Sequence, residues 1–261
     1  MKRRDFLKGS LAAAVAAPAL TGRAAEPSSP QECYELRIYR LKSDTDKPML
    51  DSYLERAALP ALNRLGVKPV GVFTDSEAKE ISPVYVLIPY TDLNAYAKVT
   101  DRLKADPEYL KAAEEYLQRP KAKPVFDRID SWLMLAFAGI PKLELPEYSR
   151  QKQPRVFEIR TYESYSESKA LKKVDMFNNG EIDVMREVGL GPIFFGQALI
   201  GPNLPHLTYM LSAENRDAHK KHWDAFGKHP TWKKMSSDPQ YQDTVSKIVN
   251  HFLVPTSYSQ I

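Results

Sequence analysis

The chain contains its own copy. Tyr34-Glu35-Leu36-Arg37-Ile38-Tyr39 returns 123 residues later as Phe157-Glu158-Ile159-Arg160-Thr161-Tyr162. The same offset of 123 relates Leu65-Gly66-Val67-Lys68-Pro69-Val70 to Val188-Gly189-Leu190-Gly191-Pro192-Ile193, and 84–90 to 207–213. Three segments in one ungapped register mark a single supersecondary unit used twice. Further on, Ala105-Asp106-Pro107-Glu108-Tyr109 meets Ser237-Asp238-Pro239-Gln240-Tyr241 at an offset of 132, which places a nine-residue insertion in the second copy, around Gly227 to Met235. The 261 residues thus hold two units, each about the size of a small domain.

Periodicity supplies the elements of the unit. Residues 34–40 alternate as a strand does, while Met49, Tyr53, Leu54, Ala57, Ala58 and Leu62 recur at the three-to-four spacing of an amphipathic helix over 48–65, closed by Gly66. Residues 70–74 and 84–88 read as strands around a polar turn, 91–118 as helix broken at Asp106-Pro107, and 129–137 as a last strand. The second copy repeats this order with strands at 156–162, 193–199, 207–211 and 248–254 and helices at 169–188 and 217–246. A βαββαβ unit is the ferredoxin-like arrangement, an antiparallel sheet with both helices on one face. Its other face is bare, and a second copy can cover it. The expected fold class is α+β, with two tandem ferredoxin-like units packed sheet to sheet as a pseudo-symmetric α/β barrel.

The N-terminus reads as an address. Arg3-Arg4-Asp5-Phe6-Leu7-Lys8 precedes an apolar run from Leu11 to Leu20 and the small residues Ala24-Ala25, the parts of a twin-arginine export signal cleaved near Ala24 or Ala25. The expected organisation is a signal over 1–25, a flexible leader over 26–32, unit one over 33–138, a linker over 139–154 and unit two over 155–261. Residues 1–24 carry five basic side chains and one acid, which accounts for the whole net charge of +4 and leaves 32 of each sign in the remainder. A neutral remainder speaks against a nucleic-acid partner. The single cysteine, Cys33, cannot form an internal disulfide. Beyond the signal no apolar stretch is long enough for a transmembrane helix, so the expected location is periplasmic or secreted.

Strand parity selects candidate site residues. Tyr34, Leu36 and Ile38 share one face of the first strand, and Glu35, Arg37 and Tyr39 share the other; Phe157, Ile159 and Thr161 oppose Glu158, Arg160 and Tyr162 in the same way. With the more apolar face given to the helices, the Glu, Arg and Tyr sets are expected in the interior between the sheets. There they act either as ion pairs that hold register or as ligand contacts. His206 joins them as a candidate in that interior.

The Glu-x-Arg-x-Tyr opening of each copy, the tandem units, and Trp223-Asp224-Ala225-Phe226-Gly227-Lys228-His229-Pro230-Thr231-Trp232 together resemble the NIPSNAP family of the dimeric α/β-barrel superfamily. The aromatic pattern occurs only in the second copy. The resemblance implies the barrel fold; it implies little about chemistry, because the superfamily includes monooxygenases, haem-handling proteins and members without known activity.

Four of the five histidines fall at His206, His219, His222 and His229. His219 and His222 share a helix face and form a weak alternative metal pair, opposed by Lys220 and Lys221 beside them. Trp223, Phe226 and Trp232 read as packing of the helix on the sheet. No nucleophile elbow or phosphate loop occurs, and no cofactor is expected; haem or a transition metal is the lesser alternative. Three functions follow. The first is an exported protein that binds a small molecule or a protein partner without a catalytic set. The second is an oxidoreductase, cofactor-independent or haem-dependent, using the cavity between the sheets. The third is a structural role in a homo-oligomer.

Overall fold

The structure, a computed structural model, describes residues 30–261; the export signal and most of the leader lie outside the described residues. Unit one runs β1 (Cys33–Arg40), α1 (Lys47–Tyr53), α2 (Leu59–Arg64), β2 (Gly71–Asp75), β3 (Val84–Tyr90), α3 (Leu93–Lys104), α4 (Pro107–Leu117) and β4 (Arg128–Ala136). A short helix, α5 (Glu147–Arg150), lies in the connection. Unit two runs β5 (Val156–Glu163), α6 (Glu167–Met176), α7 (Ile182–Glu187), β6 (Gly191–Ile200), β7 (His206–Ala213), α8 (Arg216–Lys228), α9 (Pro230–Ser236) and β8 (Lys247–Pro255).

Each unit keeps the ferredoxin-like strand order, and the edges of one pair with the edges of the other. The closed barrel reads β1-β3-β2-β8-β5-β7-β6-β4. Its seams are β2 on β8, with Thr74 opposite Val254, and β4 on β6, with Met134 opposite Ala198. Closure removes the exposed strand edges that a lone unit would present for aggregation.

Local chemistry explains where the helices differ from their sequence pattern. The 169–188 helix divides at a wide turn where Gly180 takes φ +136°, a conformation that favours glycine. The 217–246 helix ends at His229, held extended (ψ 131°) before Pro230, because proline disfavours the helical region in the residue before it. The insertion near Gly227 to Met235 becomes α9. Asp238 then opens only a short turn over Pro239–Tyr241, where its counterpart Asp106 caps the three-turn α4.

The structure reverses the expected facing of the strands. Tyr34, Leu36, Ile38, Phe157 and Ile159 line the barrel interior with Phe73, Leu87, Met134, Phe194, Met210 and Leu253. Tyr39 packs instead with Tyr53, Leu54 and Val99 in the helix layer, and Tyr162 with Phe177, Ile182 and Phe226. The Glu, Arg and Tyr sets therefore lie between sheet and helices. The physical reason is closure: a ring of paired strands admits water only at its ends, so a charge inside it costs more than one in a layer with open sides. One end is filled further by Ile261, Leu143 and Leu145.

Candidate functional site

The other end of the barrel is open. Here β1, β2 and β5 finish and β3, β4, β7 and β8 begin, and between them lies a cavity of about 410 Å³. Its apolar wall includes Leu36, Ile38, Tyr85, Trp132, Ile159 and Val249, brought inward by the same parity that buries the core. The polar wall holds Arg40, Asp75, Thr161, Glu163, His206, Lys247 and His251. Gly201 (φ +154°) brings the β6–β7 turn onto this wall, where a Cβ would stand 3.1 Å from Trp132 Cδ1.

Its charged groups are largely paired. Arg40 Nε donates to Asp130 at 2.7 Å, and Lys247 Nζ reaches Glu163 at 3.5 Å. His251 Nδ1 and Asp75 Oδ2 meet at 2.9 Å across the seam between the units, so Asp75 fixes the orientation of the ring. Burial, together with the Asp75 charge, pushes the Tyr85 hydroxyl up to about 12.

Two buried ring nitrogens beside the cavity, His206 Nε2 and Trp132 Nε1, make no geometric hydrogen bond among the described residues, and the two rings meet edge to face at 5.1 Å. Burial lowers the His206 pKa, opposed by the backbone at Leu207 and Pro202 and by the Glu163 carboxylate, so the imidazole is held neutral. Its Nδ1 lies 3.4 Å from Thr208 Oγ1, which in turn meets Thr161 Oγ1 at 2.9 Å.

Of the residues singled out in the sequence, only His206 reaches this cavity. The other six stand behind the sheet. Glu35 accepts from Arg37 Nε at 2.6 Å, Tyr90 Oη at 3.1 Å and Ser131 Oγ at 2.9 Å. Glu158 accepts from Arg160 Nη1 at 2.6 Å, Asn250 Nδ2 at 3.0 Å, His219 Nε2 at 2.7 Å and Trp223 Nε1 at 2.9 Å. Tyr39 meets the Phe126 ring edge-on, and Tyr162 Oη pairs with Tyr209 Oη at 2.8 Å. Their expected place between the sheets is corrected accordingly.

The His219 and His222 pair is divided as well. His219 Nε2 is engaged by Glu158, while His222 packs on Gly189, whose added Cβ would meet its Nε2 at 3.1 Å. Among the described residues no group of three His, Cys, Asp or Glu side chains is placed to hold a metal ion. A transition metal held by His206 alone would lack the three or four ligands such sites use. Cys33 is buried, and burial raises its thiol pKa, the opposite of what a nucleophilic cysteine needs.

Asp75, Trp132 and His251 escaped the sequence reading, and Thr161 was expected on the helix side of its strand. Trp132 and Thr161 carried a signal, since Trp132 is in phase with Met134 and Ala136, and Thr161 with Phe157 and Ile159, on their strands. Asp75 and His251 carried none, because they belong to different copies and meet only when the barrel closes.

Fold and cavity together define the class: a single-chain α/β barrel of two ferredoxin-like units with one open mouth. The NIPSNAP family profile matches residues 34–137 and again 157–260. The chain belongs to the NIPSNAP family. Residues 1–21 match the twin-arginine translocation pathway signal sequence, which directs the protein to the periplasm. No curated protein matches the sequence. Two solved candidate monooxygenases share the fold, each with a TM-score of 0.56. That from Fusobacterium nucleatum is 13% identical over 86% of this chain and 92% of its own. That from Lactobacillus acidophilus is 11% identical over 86% and 94%. An anthrone oxidase-like protein is similar at 12% identity, 88% and 93% coverage and a TM-score of 0.51. At these identities the likeness is one of fold. No helix among the described residues is long and apolar enough to cross a membrane.

Proposed function

We propose that the protein, exported and cleaved near Ala24 or Ala25, binds a small aromatic or alicyclic molecule bearing a hydroxyl or carbonyl group in the mouth of its barrel. The observation that carries this reading is the cavity of about 410 Å³, in whose wall Leu36, Ile38, Trp132 and Ile159 stand beside Thr161, His206 and His251. Small-molecule sites range over about 300–1,000 Å³ and combine an apolar wall with a few polar groups. Thr161 and His251 in the wall offer hydrogen-bonding groups to a ligand's hydroxyl or carbonyl. Two cations and two carboxylates in the wall offset each other, so the favoured ligand is uncharged.

The test is a titration of the mature protein with 2-naphthol, followed by saturation-transfer NMR. Val249→Phe, which fills the cavity, is expected to remove binding with little change in melting temperature. Equal binding by the filled variant would refute the site.

A second reading rests on the Asp75–His251 pair in the same wall. An oxidoreductase here would use His251 Nε2 to take a proton from an activated C–H, leaving its electron pair on the substrate carbanion, which dioxygen then oxidises. Oxygen uptake with a hydroxyanthrone, lost in Asp75→Asn, supports turnover; no uptake leaves binding alone. The cavity histidines, His206 and His251, are the residues from which an axial haem ligand would come, and a Soret band in protein purified from its own compartment is the check for that group.

A further inference from the structure

The two copies build the same Glu–Arg fork and surround it differently: Glu35 takes its further bonds from Tyr90 and Ser131, Glu158 from Asn250, His219 and Trp223. Arg37 and Arg160 correspond, and the helices that follow β3 and β7 start on equivalent caps: Asp92 accepts from Ala95 N at 2.8 Å and Asn215 from Ala218 N at 2.9 Å. That register sets Thr100 where Trp223 stands. In unit two, the Trp223 ring covers the Arg160 guanidinium at 4.8 Å, and the Arg160 side chain is 18% exposed. In unit one, Thr100 is exposed, no aromatic ring covers the Arg37 guanidinium among the described residues, and the Arg37 side chain is 31% exposed.

Beside the uncovered Arg37 lies a cleft of about 270 Å³ walled by Arg37, Tyr53, Tyr90, Thr100, Lys104 and Tyr109. A cavity of about 150 Å³ suffices for benzene, so a bicyclic aromatic has room. Guanidinium groups attract aromatic faces, and unit two shows the arrangement completed by the chain's own tryptophan. The cleft wall contains two basic side chains and no acidic one. The carboxylate of Glu35, behind the wall, is already engaged by Arg37, Tyr90 and Ser131.

We propose that this cleft binds a planar aromatic molecule carrying a carboxylate, with the ring over Arg37 as Trp223 lies over Arg160 and the carboxylate toward Lys104. It is a separate site from the barrel mouth and does not depend on the reading given to that cavity.

The experiment is calorimetric titration of the mature protein with indole-3-acetate, repeated with 3-methylindole. Wild type is expected to bind the acid at least tenfold more tightly than the neutral indole. Thr100→Trp, which rebuilds the unit-two arrangement at an exposed position, should weaken indole-3-acetate at least tenfold and leave 2-naphthol binding at the mouth unchanged. Should that variant fold poorly, Lys104→Gln on the surface is expected to lose affinity for the acid at least tenfold while keeping its melting temperature. Undiminished binding in the folded variants, no binding by wild type at millimolar concentration, or displacement of 2-naphthol by indole-3-acetate would each overturn the proposal.

Discussion

Glu158→Gln tests whether the charged set behind the sheet is structural. The carboxylate is 2% exposed and accepts four hydrogen bonds, two on each oxygen, from Arg160, Asn250, His219 and Trp223. Burial pushes its pKa up, but the His219 hydrogen bond and the Arg160 charge outweigh it and hold the carboxyl at about 2, below its ordinary 4.5. That depression corresponds to about 3 kcal/mol of stability. Removing one partner of a buried ion pair costs about 3–5 kcal/mol, since the other charge is left uncompensated. Arg160, with 18% of its side chain exposed, would be such a charge. For a chain of this size the expected fall in melting temperature is about 6–20 °C. The pH dependence has a definite sign. A depressed carboxyl stabilises fully above its unfolded value of 4.5, and that contribution fades as pH falls toward 2. The gap between wild type and variant, followed by circular dichroism melts, should therefore be widest at neutral pH and close in strong acid. A variant that melts with wild type at neutral pH, or a gap that ignores pH, would refute the reasoning. Glu35→Gln is the internal comparison, with a smaller loss because Arg37 is 31% exposed and reaches water.

Three further outcomes are expected. Lys173 Nζ meets Glu181 Oε2 at 2.6 Å with both side chains at most 5% exposed, so Lys173→Met should cost about 3–5 kcal/mol in urea unfolding. The double variant Lys173→Met/Glu181→Leu should be clearly more stable than the sum of the singles predicts. Gly196→Ala would place a Cβ 2.7 Å from Met134 Cβ at the β4–β6 seam, and overpacking of that kind costs about 1–3 kcal/mol; an unchanged denaturation midpoint would contradict the seam's register. The lowered His206 pKa means that the unfolded chain takes up a proton below its ordinary 6.5 before the folded one does. Stability should therefore fall as pH drops below 6.5, and His206→Phe should flatten that limb of the urea-midpoint profile.

Much of the fold was legible because its signals are local or repeated. A 123-residue offset needs no structure to be seen, and alternation and helical spacing located every barrel strand and the main helices. The divisions at Gly180 and at His229-Pro230 also have local causes, although periodicity alone passed over them. The site was less legible. Parity correctly separated Glu35, Arg37 and Tyr39 from Leu36 and Ile38 but could not say which set faced inward, because helices and a second sheet both offer an apolar surface.

What the sequence by itself determined is the unit, its duplication, its order of elements and its export signal, all written in contiguous residues. The tertiary structure decided the facing of the strands and the makeup of the mouth. Closing the barrel left its interior open to water only at one end, so the apolar faces turned inward and the charged forks were left to the helix layer. The same closure brought Asp75 to His251 from 176 positions away, a distance over which no periodicity in a sequence can specify a contact.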